Sequence, residues 1–154
     1  MLSAAGCLFR PEVSTSEFDL CAAKGKYRTP VQAAEFRNSS GSGLRMSILA
    51  KDGEIRGVSG ARWVQDPGIM VARQLNRLLN SDGSKSAIRV KGTIESFIYD
   101  AAAAQFVFAG FYDAGKGLIR FDIRVPVASP SPEAVAAGAS AAVKTLAGRL
   151  SPEL

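Results

Sequence analysis

Hydrophobic and polar residues alternate along two stretches in the second half of the chain, 86–100 and 117–127. Alternation with a period of two is typical of β-strands that bury one face. Residues 105–113, which lie between these stretches, are apolar on both faces and predict a central strand. The three stretches together predict a long antiparallel meander. The positions predicted to face inward are Ile88, Val90, Ile94 and Ile98 in the first stretch, and Ile119, Phe121, Ile123 and Val125 in the second.

Shorter strands are predicted in the first half of the chain. Residues 15–21 and 31–37 each have the length and composition of one strand. Two further apolar stretches within 44–63 are separated by Asp52-Gly53. An Asp-Gly pair favours a two-residue type I′ turn, in which both central residues have positive φ. We therefore predict a β-hairpin over 44–63.

The stretch 66–81 has the apolar spacing of an amphipathic helix. Asp66 is a suitable N-cap, and Pro67 suits the first helical position because its missing N–H is not needed there. The predicted buried stripe consists of Val71, Leu75, Leu78 and Leu79, and the predicted solvent-facing side chains are those of Arg73, Gln74 and Arg77.

A second helix is predicted over 129–150. Ser131 is its expected N-cap, Pro132 follows, and Glu133 lies in the first turn, where the helix dipole favours negative charge. Its predicted buried stripe consists of Val135, Ala139, Ala142, Leu146 and Leu150. Together these elements predict a fold of the broad α/β type, which combines helices and strands, and within it the α+β class. The sheet is predicted to be mixed and largely antiparallel with a long C-terminal meander, and two main helices pack against it.

The composition is that of one globular domain, with 154 residues, 47% of them hydrophobic and 21% charged. The net charge is +5, but Lys and Arg are scattered and the aromatic residues do not cluster among them. We therefore predict no nucleic-acid interface. No apolar stretch reaches the roughly 18 residues that a transmembrane helix needs.

The chain contains no histidine, which removes the usual catalytic base and the usual metal ligand. Its two cysteines, Cys7 and Cys21, form no C-x-x-C pair, so no metal site is predicted. Pairs of nearby carboxylates are better explained as surface charges than as an acid–base pair. These pairs are Glu17 with Asp19 and Asp113 with Asp122.

Two glycine-containing motifs resemble known sites only in part. GVSGA (57–61) approximates a G-x-S-x-G nucleophile elbow, but a helix does not follow it and no histidine is available. We interpret it as a turn around Ser59. GSGLRM (41–46) lacks the third glycine of a dinucleotide-binding loop and precedes a strand. The sequence therefore predicts a protein that is not an enzyme and needs no cofactor.

Trp63 is the only tryptophan and stands between the predicted hairpin and the first helix. Two roles fit this position: the side chain anchors a partner protein, or it fills the junction between hairpin and helix. The sequence leaves both open, and we favour the structural role.

Seven pieces of the chain occur in an order that resembles the ABC-type transport auxiliary lipoprotein family, whose members include PqiC. The most specific piece is Arg62-Trp63 followed by Asp66-Pro67 and the helix. The pieces are AAGC (4–7), EFDL (17–20), LRMSI (44–48), ARWVQDP (61–67), ARQLNRLL (72–79), the strands within 86–127, and AVAAGASAAVKTLAGRL (134–150).

This resemblance implies that residues 1–16 hold a lipobox remnant and a tether, and that residues 17–151 form the auxiliary lipoprotein domain. Cys7 is then the site of lipidation. The residues implied to form either a partner-binding site or a structural junction are Arg62, Trp63, Asp66 and Pro67.

The resemblance further implies a non-catalytic, lipid-anchored accessory subunit on the periplasmic side of a bacterial cell envelope. The outer membrane is favoured because Leu8 rather than aspartate follows the cysteine. The implied partners are an MCE-domain protein and ABC transporter subunits that move lipids or other hydrophobic molecules between membranes, with homo-oligomerisation as a further option. The alternative is another envelope lipoprotein of similar fold that assists lipopolysaccharide or outer-membrane assembly.

Overall fold

The computed structural model describes residues 14–21, 30–79 and 88–151. Predictions that fall on other residues, including those for Cys7 and for the helix beyond residue 79, lie outside this part of the chain. The elements in chain order are β1 (Ser16–Phe18), β2 (Val31–Asn38), β3 (Arg45–Leu49), β4 (Ile55–Trp63), α1 (Pro67–Leu79), β5 (Ile88–Asp100), β6 (Gln105–Asp113), β7 (Leu118–Pro126) and α2 (Pro132–Leu150).

All the strands belong to one sheet, in the order β1-β4-β3-β5-β6-β7, with β2 paired to β5. Strand β5 is 13 residues long and has two neighbours on the same edge. Its first part pairs in parallel with β2, starting with Val31 opposite Ile88. Its end pairs in parallel with β3, finishing with Leu49 opposite Asp100. Strands β2 and β3 therefore follow one another along one edge of β5.

The predicted fold class is confirmed. Strands β5, β6 and β7 form the long antiparallel meander, and β3 and β4 form the predicted hairpin. Strand β1 pairs in parallel with β4, and β2 and β3 pair in parallel with β5, so the sheet is mixed. Helix α1 packs against β2, helix α2 packs against β6 and β7, and the two helices contact each other. Among the described residues, no helix is both long and apolar enough to cross a bilayer.

Both helices begin where the sequence predicts. The backbone N–H of Gly68 donates to Asp66 Oδ1 at 2.8 Å, and the N–H of Ala134 donates to Ser131 Oγ at 3.2 Å. These bonds satisfy donors in the first helical turn that have no partner within the helix. The predicted stripes of both helices are buried in one core together with the inner face of the sheet.

The hairpin turn differs from the predicted type I′ geometry. Gly53 has a φ of 85°, but Asp52 is not among the residues with positive φ. The N–H of Gly53 donates to the carbonyl of Ala50 at 2.9 Å, and the N–H of Ala50 donates to the carbonyl of Glu54 at 2.8 Å. The loop therefore contains three residues and ends on a left-handed glycine, which requires positive φ at one position only.

A β-bulge between Ile94 and Ser96 changes which residues of β5 face the helices. Ile94 is buried as predicted, but beyond the bulge the buried side chains are those of Phe97 and Tyr99. Ile98 therefore lies on the opposite face, and the prediction for this residue was wrong. The physical reason is that a bulge inserts one residue and reverses the alternation that follows it.

Four other side chains have surroundings different from those predicted. Ser59 lies within β4, next to Gly60 with a φ of 69°, so GVSGA forms an irregular strand instead of a turn. Ile88 and Ile119, each at the beginning of a strand, are 45% and 44% exposed instead of buried. Gln74 is 2% exposed, although helical spacing placed it with the solvent-facing arginines.

Candidate functional site

The residues that carry the resemblance lie where β4 passes into α1. Trp63 ends β4 and is only 1% exposed, and its ring centroid lies 5.4 Å from that of Phe97. Its indole Nε1 is buried and has no hydrogen-bond partner among the described residues. The ring thus fills the core at the junction between hairpin and helix.

Asp66 connects α1 to β2 at this junction. One carboxylate oxygen caps α1, and the other accepts a hydrogen bond from Asn38 Nδ2 at 3.2 Å, at the end of β2. Pro67 begins the helix and is buried. The next residue, Gly68, lies so close to β2 that a Cβ atom there would stand 2.1 Å from the carbonyl oxygen of Phe36. The junction therefore fixes the start of α1 against β2.

Residues 16–21, here called the strap, are attached to this junction. In the parallel pairing of β1 with β4, Glu17 lies opposite Arg62 and Phe18 opposite Trp63. Arg62 Nη2 contacts Glu17 Oε1 at 2.5 Å, and Arg73 of α1 pairs with Asp19. Both side chains of the first pair are about half exposed, so this ion pair fixes the position of the strap and adds little stability.

Two further hydrogen bonds hold the end of the strap. Gln74 Nε2 donates to the carbonyl of Cys21 at 2.7 Å, and the N–H of Cys21 donates to Ser140 Oγ of α2 at 2.8 Å. The strap therefore contacts β4, α1 and α2 at once. Nothing in the local sequence pattern of α1 indicated the role of Gln74, because its partner is 53 residues away in the chain.

The face of the sheet opposite the helices carries two shallow hollows. The larger has a volume of about 330 Å³ and the smaller about 160 Å³. Six of the residues that line the larger hollow are Glu35, Arg37, Lys91, Phe111, Asp113 and Leu118. The residues that line the smaller hollow include Arg45, Ser47, Ile55, Glu95, Ser96 and Ile98.

The lining of the larger hollow combines charged and apolar side chains. Lys91 lies in the same row of the sheet as Glu35 and Asp113 on the neighbouring strands. Asp113 Oδ1 accepts hydrogen bonds from the N–H groups of Gly115 at 2.7 Å and Gly117 at 3.3 Å, so this carboxylate stabilises the β6–β7 turn. The hollow therefore presents charged side chains and the exposed apolar side chain of Leu118 to solvent.

Each carboxylate of the pairs that the sequence singled out has a partner of its own in the structure. Glu17 and Asp19 are each engaged by a different arginine in the strap. Asp113 stabilises a turn, and Asp122 Oδ1 accepts a hydrogen bond from Arg124 Nε at 3.0 Å. Within residues 14–21, 30–79 and 88–151, no group of three or more His, Cys, Asp or Glu side chains is placed to hold a metal ion.

Three exposed ionisable groups have shifted pKa values, and the pKa of one of them, Arg56, is raised by its hydrogen bond to Glu54. The N–H of Glu54 donates to Asp52 Oδ1 at 3.1 Å, and this bond, with the nearby charge of Arg56, lowers the pKa of Asp52 below its usual 3.8. The hydrogen bond to Asp122 raises the pKa of Arg124. These side chains are about half exposed, so the shifts describe local ion pairs on the surface.

No protein-family model matches the chain, and no curated protein matches its sequence. Solved structures do match its fold. A crystal structure of a protein described only as uncharacterized superposes with a TM-score of 0.68 and 8% sequence identity, covering 89% of this chain and 96% of that one. A crystal structure of the Xanthomonas campestris protein XCC0632, described under the family model DUF330, superposes with a TM-score of 0.64 and 16% identity, covering 89% and 92%. At such identities the likeness concerns the fold, so this chain shares its fold with an uncharacterized protein and a DUF330 protein.

Proposed function

We propose that this protein is a non-catalytic, lipid-anchored accessory subunit of an MCE-type ABC transport system that moves lipids or other hydrophobic molecules between bacterial membranes. The proposal places it on the periplasmic side of the envelope, with Cys7 as the acylated residue. An MCE-domain protein and the ABC transporter subunits are its partners.

The observation that carries the proposal is the attachment of the strap to the junction. The pieces EFDL and ARWVQDP, far apart in the sequence, are both part of the resemblance to the auxiliary lipoproteins. In the structure they are neighbouring strands, with Glu17 and Arg62 joined by an ion pair. The residues that follow a lipid tether in that family thus meet the Arg-Trp junction in this chain.

The short segment between Cys7 and the strap limits how far the domain can lie from an anchoring membrane. Only residues 8–13 separate Cys7 from the first described residue, Ser14. At roughly 3.5 Å per residue, a fully extended segment of this length spans at most about 25 Å. A lipid on Cys7 would therefore hold the domain close to the membrane surface.

Co-purification tests the partner assignment. The full-length protein is tagged and expressed in cells that also express the MCE-domain protein, the ATPase and the permease. Recovery of the MCE-domain protein or the transporter subunits is the expected result, and recovery of none of them contradicts the proposal. Recovery of lipopolysaccharide- or outer-membrane-assembly proteins instead supports the alternative envelope role.

Palmitate labelling tests the anchor separately. The protein expressed from its own gene is expected to incorporate label, and a Cys7→Ser variant is the matched control. Label that persists in the variant, or an unmodified wild-type protein, contradicts acylation of Cys7. Loss of the anchor alone leaves the partner assignment to be decided by the co-purification.

A further inference from the structure

Strand β7 is the last strand of the sheet, and no strand among the described residues pairs with its outer edge. It is nine residues long. An uncovered strand of this length presents a row of unpaired N–H and C=O groups to which another strand can add. At its start, Leu118 and Ile119 are 77% and 44% exposed.

The backbone groups that point away from the sheet can be identified. The N–H of Val127 donates to the carbonyl of Ala104 at 2.9 Å, so it points towards β6. The register between β6 and β7 is unbroken, and the backbone N–H and C=O groups of successive residues in an antiparallel strand point to alternate edges. The odd-numbered residues of β7 therefore bond to β6. Pro126, which has no N–H, occupies an outward position, where it removes no bond of the sheet. The outward donors include those of Arg120, Asp122 and Arg124.

We propose that β7 pairs with β7 of a second copy of this chain, antiparallel and related by a two-fold axis at Phe121. Arg120 then lies opposite the partner's Asp122, and Asp122 opposite the partner's Arg120. Leu118 lies opposite the partner's Arg124. Residues in these pairs exchange outward backbone hydrogen bonds, and the two sheets become one continuous sheet.

Charge and the backbone donors together select this register from its neighbours. With Asp122 on the axis, each Asp122 faces its own copy and Arg120 faces the partner's Arg124, and like charges directly opposite one another are destabilising. With Ile123 on the axis, Asp122 faces the partner's Arg124, so opposite charges again meet twice. In that register, however, Arg120 faces the partner's Pro126, which cannot donate a hydrogen bond. The register centred on Phe121 pairs opposite charges twice and keeps every outward donor of these pairs.

The same register covers the exposed apolar start of the strand. On the helix side of the sheet, Ile119 lies opposite the partner's Ile123, so the side chain that is 44% exposed in one copy gains an apolar neighbour. On the other side, the larger hollow, which Leu118 lines, lies beside the partner's strand. This inference concerns the sheet edge and does not depend on the transport role.

Analytical ultracentrifugation of the full chain over a wide range of concentrations tests the proposal. A dimer is expected, and Arg120→Glu or Asp122→Arg is each expected to raise its Kd by about tenfold, since like charges then face one another twice. The double variant Arg120→Glu with Asp122→Arg restores the opposite charges and the wild-type Kd. Lys51→Glu, the same change of charge on the exposed β3–β4 turn, is the matched control and leaves the Kd unchanged.

A monomer at every concentration overturns the proposal, and so does a dimer whose Kd is unchanged in Arg120→Glu. Circular dichroism establishes that each variant is folded. A cross-linking measurement tests the register independently of the charge variants. Two proteins that both lack Cys7 and Cys21 are prepared, one with Arg120→Cys and the other with Asp122→Cys, and they are mixed and oxidised. Directly opposed hydrogen-bonded residues have Cα atoms about 5.5 Å apart, within disulfide range. Absence of the mixed disulfide overturns the proposed register.

Discussion

The indole ring of Trp63 packs against the phenyl ring of Phe97, with centroids 5.4 Å apart and ring planes inclined at 55°. Phe97 in turn contacts Phe106 edge-on at 4.9 Å and Phe108 at 5.5 Å. Trp63 closes β4 and Phe97 lies in β5, so this contact joins the hairpin side of the sheet to the meander. The junction is therefore part of the aromatic centre of the core.

Truncation of Trp63 should be among the most destabilising single changes. Trp63→Ala is expected to lower the free energy of unfolding by about 3–5 kcal/mol, because it leaves a large cavity in the core. Trp63→Phe should cost less, since the phenyl ring refills part of the space and the unpaired Nε1 is removed. Urea denaturation measures both, with Val64→Ala, at an exposed neighbour, as the control. An unchanged free energy for Trp63→Ala would contradict the structural role.

The bulge in β5 predicts opposite sensitivities at two adjacent positions. Phe97→Ala should lower the free energy of unfolding by about 3–5 kcal/mol, because the ring is fully buried. Ile98→Ala should cost clearly less, because Ile98 lies on the face away from the helices. Denaturant unfolding of both variants checks this order. Strict alternation from Ile94 gives the reverse order, so a more damaging Ile98→Ala would argue against the bulge.

Two helical glycines should respond in opposite directions to the same substitution. Gly148→Ala should stabilise the protein by about 0.5–1 kcal/mol, since a Cβ there meets nothing within 4 Å and alanine is the better helix former. Gly68→Ala should destabilise it, because the new Cβ would overlap the backbone carbonyl of Phe36. Thermal unfolding followed by circular dichroism compares the two variants. A stable Gly68→Ala would mean that α1 does not lie this close to β2.

Loss of the Gln74 side-chain amide should loosen the strap. Gln74→Leu retains much of the buried volume but removes the hydrogen bond to the carbonyl of Cys21, a net cost of about 1 kcal/mol. Hydrogen exchange at the amide of Cys21 should become faster. Arg77→Leu, at an exposed position of the same helix, is the control and should leave that exchange rate unchanged. Equal exchange in both variants would show that Gln74 does not hold the strap.

The Asp52 carboxyl should titrate below its usual pKa of 3.8. A carboxyl group whose pKa is lower in the folded than in the unfolded state stabilises the folded protein at pH values above the unfolded-state pKa. This contribution is lost as the pH falls through the folded-state pKa. Arg56→Gln should raise the pKa of Asp52 only in part, because the larger cause is the hydrogen bond from the Glu54 N–H. Carbon-13 NMR titration measures the pKa of the Asp52 carboxyl in the wild-type protein and in Arg56→Gln. A full return to 3.8 would assign the shift to Arg56 alone.

Local physics made much of the fold predictable. Asp66-Pro67 and Ser131-Pro132 mark the starts of both helices, because capping depends on residues within one turn. The apolar stripe of α1 and the alternation in β7 also follow from the geometry of a single element. The fold class was predictable because one sheet and two helices with one apolar face each have few ways to pack.

The sequence by itself determined where most elements lie and which faces of them are apolar, since both follow from neighbours within a few residues. Tertiary structure decided the rest. The bulge that turns Phe97 inward, the burial of Gln74 under Cys21, and the pairing of Glu17 with Arg62 all depend on partners far away in the chain. So does the placement of β2 and β3 along one edge of β5. Such contacts form only when the elements pack together, and the periodicity of residues within one element does not predict them.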